Sequence, residues 1–200
     1  MADLLPLFST PVYFSNIDKS IVGNLPEIEF QRMDGDNAWS SKNKYILEIP
    51  ELQNLKKAIE EKLREYIFDL LKVETSVEFY ITNSWVNVHN TGDRILDHHH
   101  NNSLFSGIYY IETTSTSGQI IFKNPESRIF PSAIDILFTE NNLFNSRAMP
   151  YTPNIGDIII FPSTLAHAVT KSESATPRTI LAFNVFARGT FGHPHKLELK

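Results

Sequence analysis

Asp97-His98-His99-His100-Asn101 sets three imidazoles in a row, and His167 and Arg178 follow far downstream. On a β-strand successive side chains point to opposite faces. His98 and His100 then share one face and His99 takes the other. Two imidazoles on one strand face are half of a transition-metal site. A third, from a later strand, would complete one face of the coordination sphere and leave positions open to small molecules. His167 is the candidate for that third ligand. The chain has no cysteine, so disulfides, thiolate zinc sites and thiol catalysis are excluded. Histidine and carboxylate remain as strong ligands, which favours iron, manganese or zinc in a nitrogen and oxygen site.

Two neighbourhoods add weight to the histidines. Asn154-Ile155-Gly156-Asp157-Ile158-Ile159-Ile160-Phe161-Pro162-Ser163 reads as turn, strand, turn, and delivers His167 just after a strand. Arg178 opens the strand-like run that follows. An arginine at the mouth of an apolar strand is costly unless it is paired. The carboxylate of a small cosubstrate would pair it through two parallel hydrogen bonds.

Positioning these groups falls to a β-rich chain with one helix. Residues 50–72 carry Leu52, Leu55, Ile59, Leu63, Ile67 and Leu70/Leu71 at spacings of three and four, with Lys, Glu and Arg between. Pro50 suits the first helical turn. This stripe is read as a face packed on a sheet. Before the helix, Pro11-Val12-Tyr13-Phe14 and Tyr45-Ile46-Leu47 read as strands, and residues 32–43 as a polar loop. After it come short β-rich runs: 79–81 leading to 84–89, then 107–112, 119–123, 134–138, 157–161 and 179–187, separated by Ser, Thr, Asn, Gly and Pro. Residues 141–153 read as a long loop. Many short strands after a helix imply an antiparallel double sheet, a jelly roll or a barrel, with the amphipathic helix as its support.

The bulk numbers fit this picture. Two hundred residues suit one domain, read here as 1–200 with a functional core at about 75–190. The 42% hydrophobic content is enough for a real core. A net charge of −5 argues against a broad basic surface for nucleic acid. No apolar run approaches the roughly 20 residues that span a bilayer. The N-terminal segment lacks a charged n-region followed by a long apolar run. The expectation is a cytoplasmic protein, in a host cytoplasm if viral.

The order of a histidine pair, a strand, a Gly-Asp-apolar-Phe strand, a distal histidine and then an arginine resembles the Fe(II)/2-oxoglutarate oxygenases over about residues 84–186. Gly107-Ile108-Tyr109-Tyr110-Ile111 with Ser117-Gly118-Gln119-Ile120-Ile121-Phe122 is similar to the prolyl-hydroxylase segment of that superfamily. The resemblance implies that Tyr109 and Arg178 bind the distal carboxylate of 2-oxoglutarate. Asn87-Val88-His89-Asn90-Thr91-Gly92 is similar to the N-x-Y-x-x-G segment of AlkB-type demethylases. Carried over, Asn87 contacts the cosubstrate and His89 takes the tyrosine's place. With Leu7-Phe8-Ser9-Thr10-Pro11-Val12-Tyr13 near the start, the pattern also resembles uncharacterised 2-oxoglutarate oxygenases of marine bacteria and phages that carry H-x-H.

The resemblance implies Fe(II) held by His98, His100 and His167, with 2-oxoglutarate as cosubstrate. It also implies a double-stranded β-helix, and oxygenation of a substrate with release of succinate and carbon dioxide. Most of the superfamily has an acid where this chain has His100. A neutral imidazole there raises the charge of the site by one and favours anionic cosubstrates. Asp97, on the other strand face, is a candidate partner for an imidazole N–H. Two other readings stay open: a three-histidine cupin-like dioxygenase that does without 2-oxoglutarate, and a non-enzymatic β-sandwich binding module.

Overall fold

The computed structural model describes residues 3–23, 25–33, 38–125, 137–192 and 197–200. Their strands are β1 (Tyr13–Asn16), β2 (Phe30–Arg32), β3 (Trp39–Ser41), β4 (Val77–His89), β5 (Ile95–His98), β6 (Phe105–Glu112), β7 (Ile120–Lys123), β8 (Ala148–Tyr151), β9 (Asp157–Pro162), β10 (His167–Val169), β11 (Arg178–Phe191) and β12 (Leu197–Leu199). One helix, α1 (Gln53–Arg64), precedes β4. The major sheet runs β1-β9-β6-β11-β4-β3-β2, with β12 added to the end of β11, and the minor sheet runs β5-β10-β7-β8. The pairings within both sheets are antiparallel.

Three layers follow from strand alternation. One face of the major sheet carries Val86, Tyr109, Ile111, Ile158, Ile160, Leu181, Phe183 and Val185 against Leu55, Ile59, Leu63 and Ile67 of the helical segment. The helix forms because its apolar residues recur on one stripe; burying that stripe stabilises it more than propensity does. Past Arg64 the chain widens into a π-helical stretch, Glu65–Leu70, which the Leu71 N–H closes on the Tyr66 carbonyl at 3.0 Å. The sheet's other face carries Ile108, Tyr110, Ile159, Phe161 and Ile180 against Ile120 and Phe122 of the minor sheet. This is the double-stranded β-helix, or jelly roll, that the pattern of short strands predicts, with a helix backing its major sheet.

Two local devices keep the layers in register. Gly107 sits opposite Phe183 in the β6–β11 ladder, and a Cβ there would run into the Phe183 ring. Gly156 turns the chain into β9 at φ +87, a conformation that suits glycine. Its N–H donates to the Tyr110 carbonyl at 2.8 Å.

Four sequence expectations need correction or restriction. Tyr45-Ile46-Leu47 is not a strand. Ile46–Glu48 is a 3₁₀ turn in which neighbours Ile46 and Leu47 are both buried, which a half-buried strand cannot do. The segment 32–43 contains the end of β2 and all of β3, which pair with each other antiparallel; residues 34–37 lie outside the described residues. Within 141–153, residues 148–151 form β8 on β7. Pro150 disguises it, because proline is tolerated only where a strand lies at the edge of a sheet. The expected strand 134–138 falls mostly outside the described residues; Leu137 and Phe138 carry no strand structure.

Candidate metal centre and carboxylate clamp

The centre is built where β5 and β10 pair. His167 and His98 face each other across that ladder. His100 lies just past the end of β5, tied down by its N–H to the Ser163 carbonyl at 2.9 Å. The ring centroids of His98 and His100 are 5.3 Å apart, those of His98 and His167 4.2 Å, and those of His100 and His167 5.3 Å. One ligating atom from each lies within 4.8 Å of the others. His99 is exposed and takes no part. The alternation expected of the triple histidine therefore extends one step beyond the strand proper.

Each imidazole is fixed through Nδ1. In His98 it meets the Leu96 carbonyl at 2.9 Å, and in His167 the Leu165 carbonyl at 3.0 Å. In His100 it meets Asn184 Oδ1 at 2.6 Å. All three partners are acceptors, so Nδ1 carries the proton and the Nε2 lone pair is left free. Three neutral rings with free Nε2 atoms are a donor set that suits Fe(II). Burial holds the His167 ring neutral, pushing it down to about 3 with help from His98. Burial also lowers His100, against the opposing pull of its bond to Asn184.

Asn184 is the group that sequence reading missed. Ser106 Oγ lies 2.9 Å from Asn184 Oδ1, 2.8 Å from His100 Nδ1 and 2.8 Å from Ser163 Oγ, which in turn donates to Ser103 Oγ at 2.8 Å. A signal existed: Asn184 is six residues after Arg178, on the same face of an otherwise apolar strand. Trp85 forms a wall beside this network, its ring 5.9 Å from that of His100. Asp97, exposed, pairs instead with half-buried Lys123 at 3.6 Å, so it does not support an imidazole.

The second half of the site lies farther along β4 and β11, where Arg178 faces His89. Both are buried. Arg178 Nε donates to His89 Nδ1 at 2.9 Å, and Nη2 shares the same acceptor. His89 is therefore neutral, with its proton on Nε2; burial first, and Arg178 second, push it down to about 2. Among the described residues, Ser172 Oγ and three atoms of this site, His89 Nε2, Arg178 Nη1 and Asn87 Oδ1, are buried without a hydrogen-bond partner. Orphaned buried polar atoms are rare and call for a ligand. Two of these three are donors, as an anionic carboxylate requires.

Tyr109 is not in this site. It belongs to the helix-side core, and its hydroxyl donates to the Ile17 carbonyl at 3.3 Å. Burial, with Asp18 adding to it, pushes that hydroxyl up to about 12. Tyr110, one residue on, lies on the inner face opposite Ile180. Burial raises its phenol well beyond the usual range, while neighbouring Arg178 pulls the other way. Which tyrosine of an adjacent pair faces inward depends on strand phase, and that is fixed by pairing with β11.

Three convergent neutral imidazoles and a buried arginine inside a jelly roll define a class: non-haem metal enzymes with a carboxylate cosubstrate. Residues 83–184 match the family described as "Putative 2OG-Fe(II) oxygenase". The chain belongs to that 2-oxoglutarate and Fe(II)-dependent oxygenase family. No curated protein sequence matches it. Among solved structures, a 2OG-Fe(II) oxygenase family oxidoreductase from Burkholderia pseudomallei is 13% identical, with a TM-score of 0.59 over 84% of this chain and 76% of that one. HygX from Streptomyces hygroscopicus, solved with nickel and 2-oxoglutarate bound, is 9% identical, with a TM-score of 0.61 over 88% and 82%. A Pseudomonas putida prolyl-4-hydroxylase is 13% identical, with a TM-score of 0.58 over 89% and 94%. At these identities the likeness is one of fold.

Proposed function

We propose that the protein is a hydroxylase-type oxygenase in which His98, His100 and His167 hold Fe(II) through Nε2. In the same reading Arg178 takes the distal carboxylate of 2-oxoglutarate, with His89 and Tyr110 beside it and Asn87 on the same strand face. The observation that carries this reading is the coexistence of three free imidazole Nε2 atoms with unpartnered buried donors on His89 and Arg178. Bound iron supplies the oxidative chemistry that couples cosubstrate decarboxylation to substrate oxidation. The chain's part is to orient the imidazoles through carbonyl and amide acceptors, to seat a dicarboxylate, and to keep water from the inner face.

The substrate is a small molecule or an exposed side chain admitted past Trp85, and segments 32–43 and 141–153 are where specificity would reside. The protein acts as a single domain. Its site of action is proposed to be the cytoplasm; among the described residues no helix is long and apolar enough to cross a membrane. Anaerobic titration with Fe(II) and then 2-oxoglutarate tests the assignment. A weak visible charge-transfer band on adding the cosubstrate is expected. Iron binding with no band would favour the three-histidine dioxygenase that does without 2-oxoglutarate.

A further inference from the structure

We propose that His89 is the positioning residue of the carboxylate clamp: it holds the Arg178 guanidinium without neutralising it, so the site keeps a buried positive charge that a cosubstrate carboxylate completes. The inference rests on the reading of Arg178 as the cosubstrate's partner.

A buried arginine is ordinarily matched by a carboxylate, because an unpaired charge in a low-dielectric interior is expensive. Among the described residues none lies within ion-pair distance of Arg178. The nearby acid on the inner face, Asp157, is already engaged by the Tyr151 hydroxyl at 2.9 Å and the Asn154 N–H at 2.7 Å. What Arg178 has instead is a neutral ring. His89 Nδ1 accepts from Nε and Nη2 and so fixes the plane of the guanidinium. This leaves Nη1 and the His89 Nε2–H as buried donors without partners. An aspartate or glutamate at position 89 would have satisfied the arginine and closed the site to external anions. A tyrosine could donate to an anion but would accept poorly from two guanidinium N–H groups. Histidine does both, one nitrogen serving the arginine and the other the ligand.

The consequence is that the clamp binds a carboxylate without any metal, and that binding stabilises the fold. Glutarate is the probe: it has two carboxylates and no keto group with which to chelate iron. Added to metal-free protein at about a hundred times its dissociation constant, it should raise Tm by roughly 5–10 °C, whereas sodium chloride at matched ionic strength should not. Arg178→Gln should abolish the shift. His89→Gln, which keeps an acceptor and a donor, should retain at least half of it. His89→Glu supplies an internal counterion. It should melt no lower than wild type without ligand and show no glutarate shift.

A wild-type protein indifferent to glutarate overturns the proposal. So does a His89→Glu variant that still responds, or one less stable than wild type. The outcome is separable from the iron reading. A normal 2-oxoglutarate charge-transfer band without a glutarate shift would remove the clamp proposal alone. A glutarate shift in a protein that binds no Fe(II) would keep the clamp and remove the iron assignment.

Discussion

Asn184 shows how much a single side chain outside the ligand set can decide. Its Oδ1 fixes the His100 tautomer and is held in turn by Ser106. Losing such a supporting partner typically costs 10- to 100-fold in metal affinity. Asn184→Leu should weaken Mn(II) or Co(II) binding by about that much, read by competition with a chelator, without unfolding the protein. The proposed ligands should behave differently from their neighbour in sequence: His98→Ala and His167→Ala should abolish metal binding, and His99→Ala should spare it. His100→Asp restores the commoner ligand set and should still bind. If His100→Ala binds iron as well as wild type, the centre is completed elsewhere. At the clamp, calorimetry of 2-oxoglutarate into Mn(II)-loaded, oxygen-free protein should show Arg178→Ala weaker by about 30-fold or more. Tyr110→Phe should matter more than Tyr109→Phe, since Tyr109 faces the helix. The histidines and Arg178 were legible because spacing and residue type carry them. Tyr110 and Asn184 were not, because both depend on which face of a buried strand turns inward.

At the scale of elements, β4 explains why the sequence looked broken where the structure is continuous. Phe79 and Ile81 pack into the helix-side core, and so do Val86 and Val88. The switch from odd to even positions is made by one extra residue, Thr82, at the β-bulge between the Asn184–Asn83 and Val185–Ile81 pairs. Without that bulge, Trp85, Asn87 and His89 would face the helix and the inner face would lose half its site. Reading by alternation gave two runs, 79–81 and 84–89, because a bulge interrupts period two without ending the strand. The helix was legible for the opposite reason: its stripe is long and unbroken. A second element-level test lies at Gly107, where the neighbouring strand's Phe183 ring occupies the space of a side chain. Gly107→Ala should cost roughly 1–3 kcal/mol by overpacking, measured by urea unfolding. Pairing it with Phe183→Leu should recover part of the loss; no recovery would mean that backbone conformation is responsible.

Stability of the whole molecule should carry the signature of its buried neutral histidines. His89 and His167 are pushed down to about 2 and about 3, from an ordinary value of 6.5. Between those values and 6.5 the unfolded chain binds protons that the folded chain refuses. Stability is therefore full above pH 6.5 and falls as pH drops below it, by about 1.4 kcal/mol per pH unit for each group. Metal-free protein should show this in denaturant melts between pH 7 and pH 4. His89→Gln should remove one histidine's share of the slope, about 1.4 kcal/mol per pH unit, and an unchanged slope would mean that His89 is protonated in the native state.

The long ladder between β4 and β11 has a consequence for synthesis. His89 and Arg178 are 89 residues apart in the chain, and His100 and Asn184 are 84 apart. A ribosome adding about 5–20 residues per second exposes His98 and His100 several seconds before the strand that fixes them exists. For most of that interval the nascent chain offers two loosely held imidazoles, able to pick up whatever divalent ion is abundant, with no His167 beside them and no Asn184 to set the tautomer. Selective loading must wait until β11 has been made and has zipped between β4 and β6. Metal selection by the proposed site then depends on β11, and not on the histidine pair of the growing chain alone.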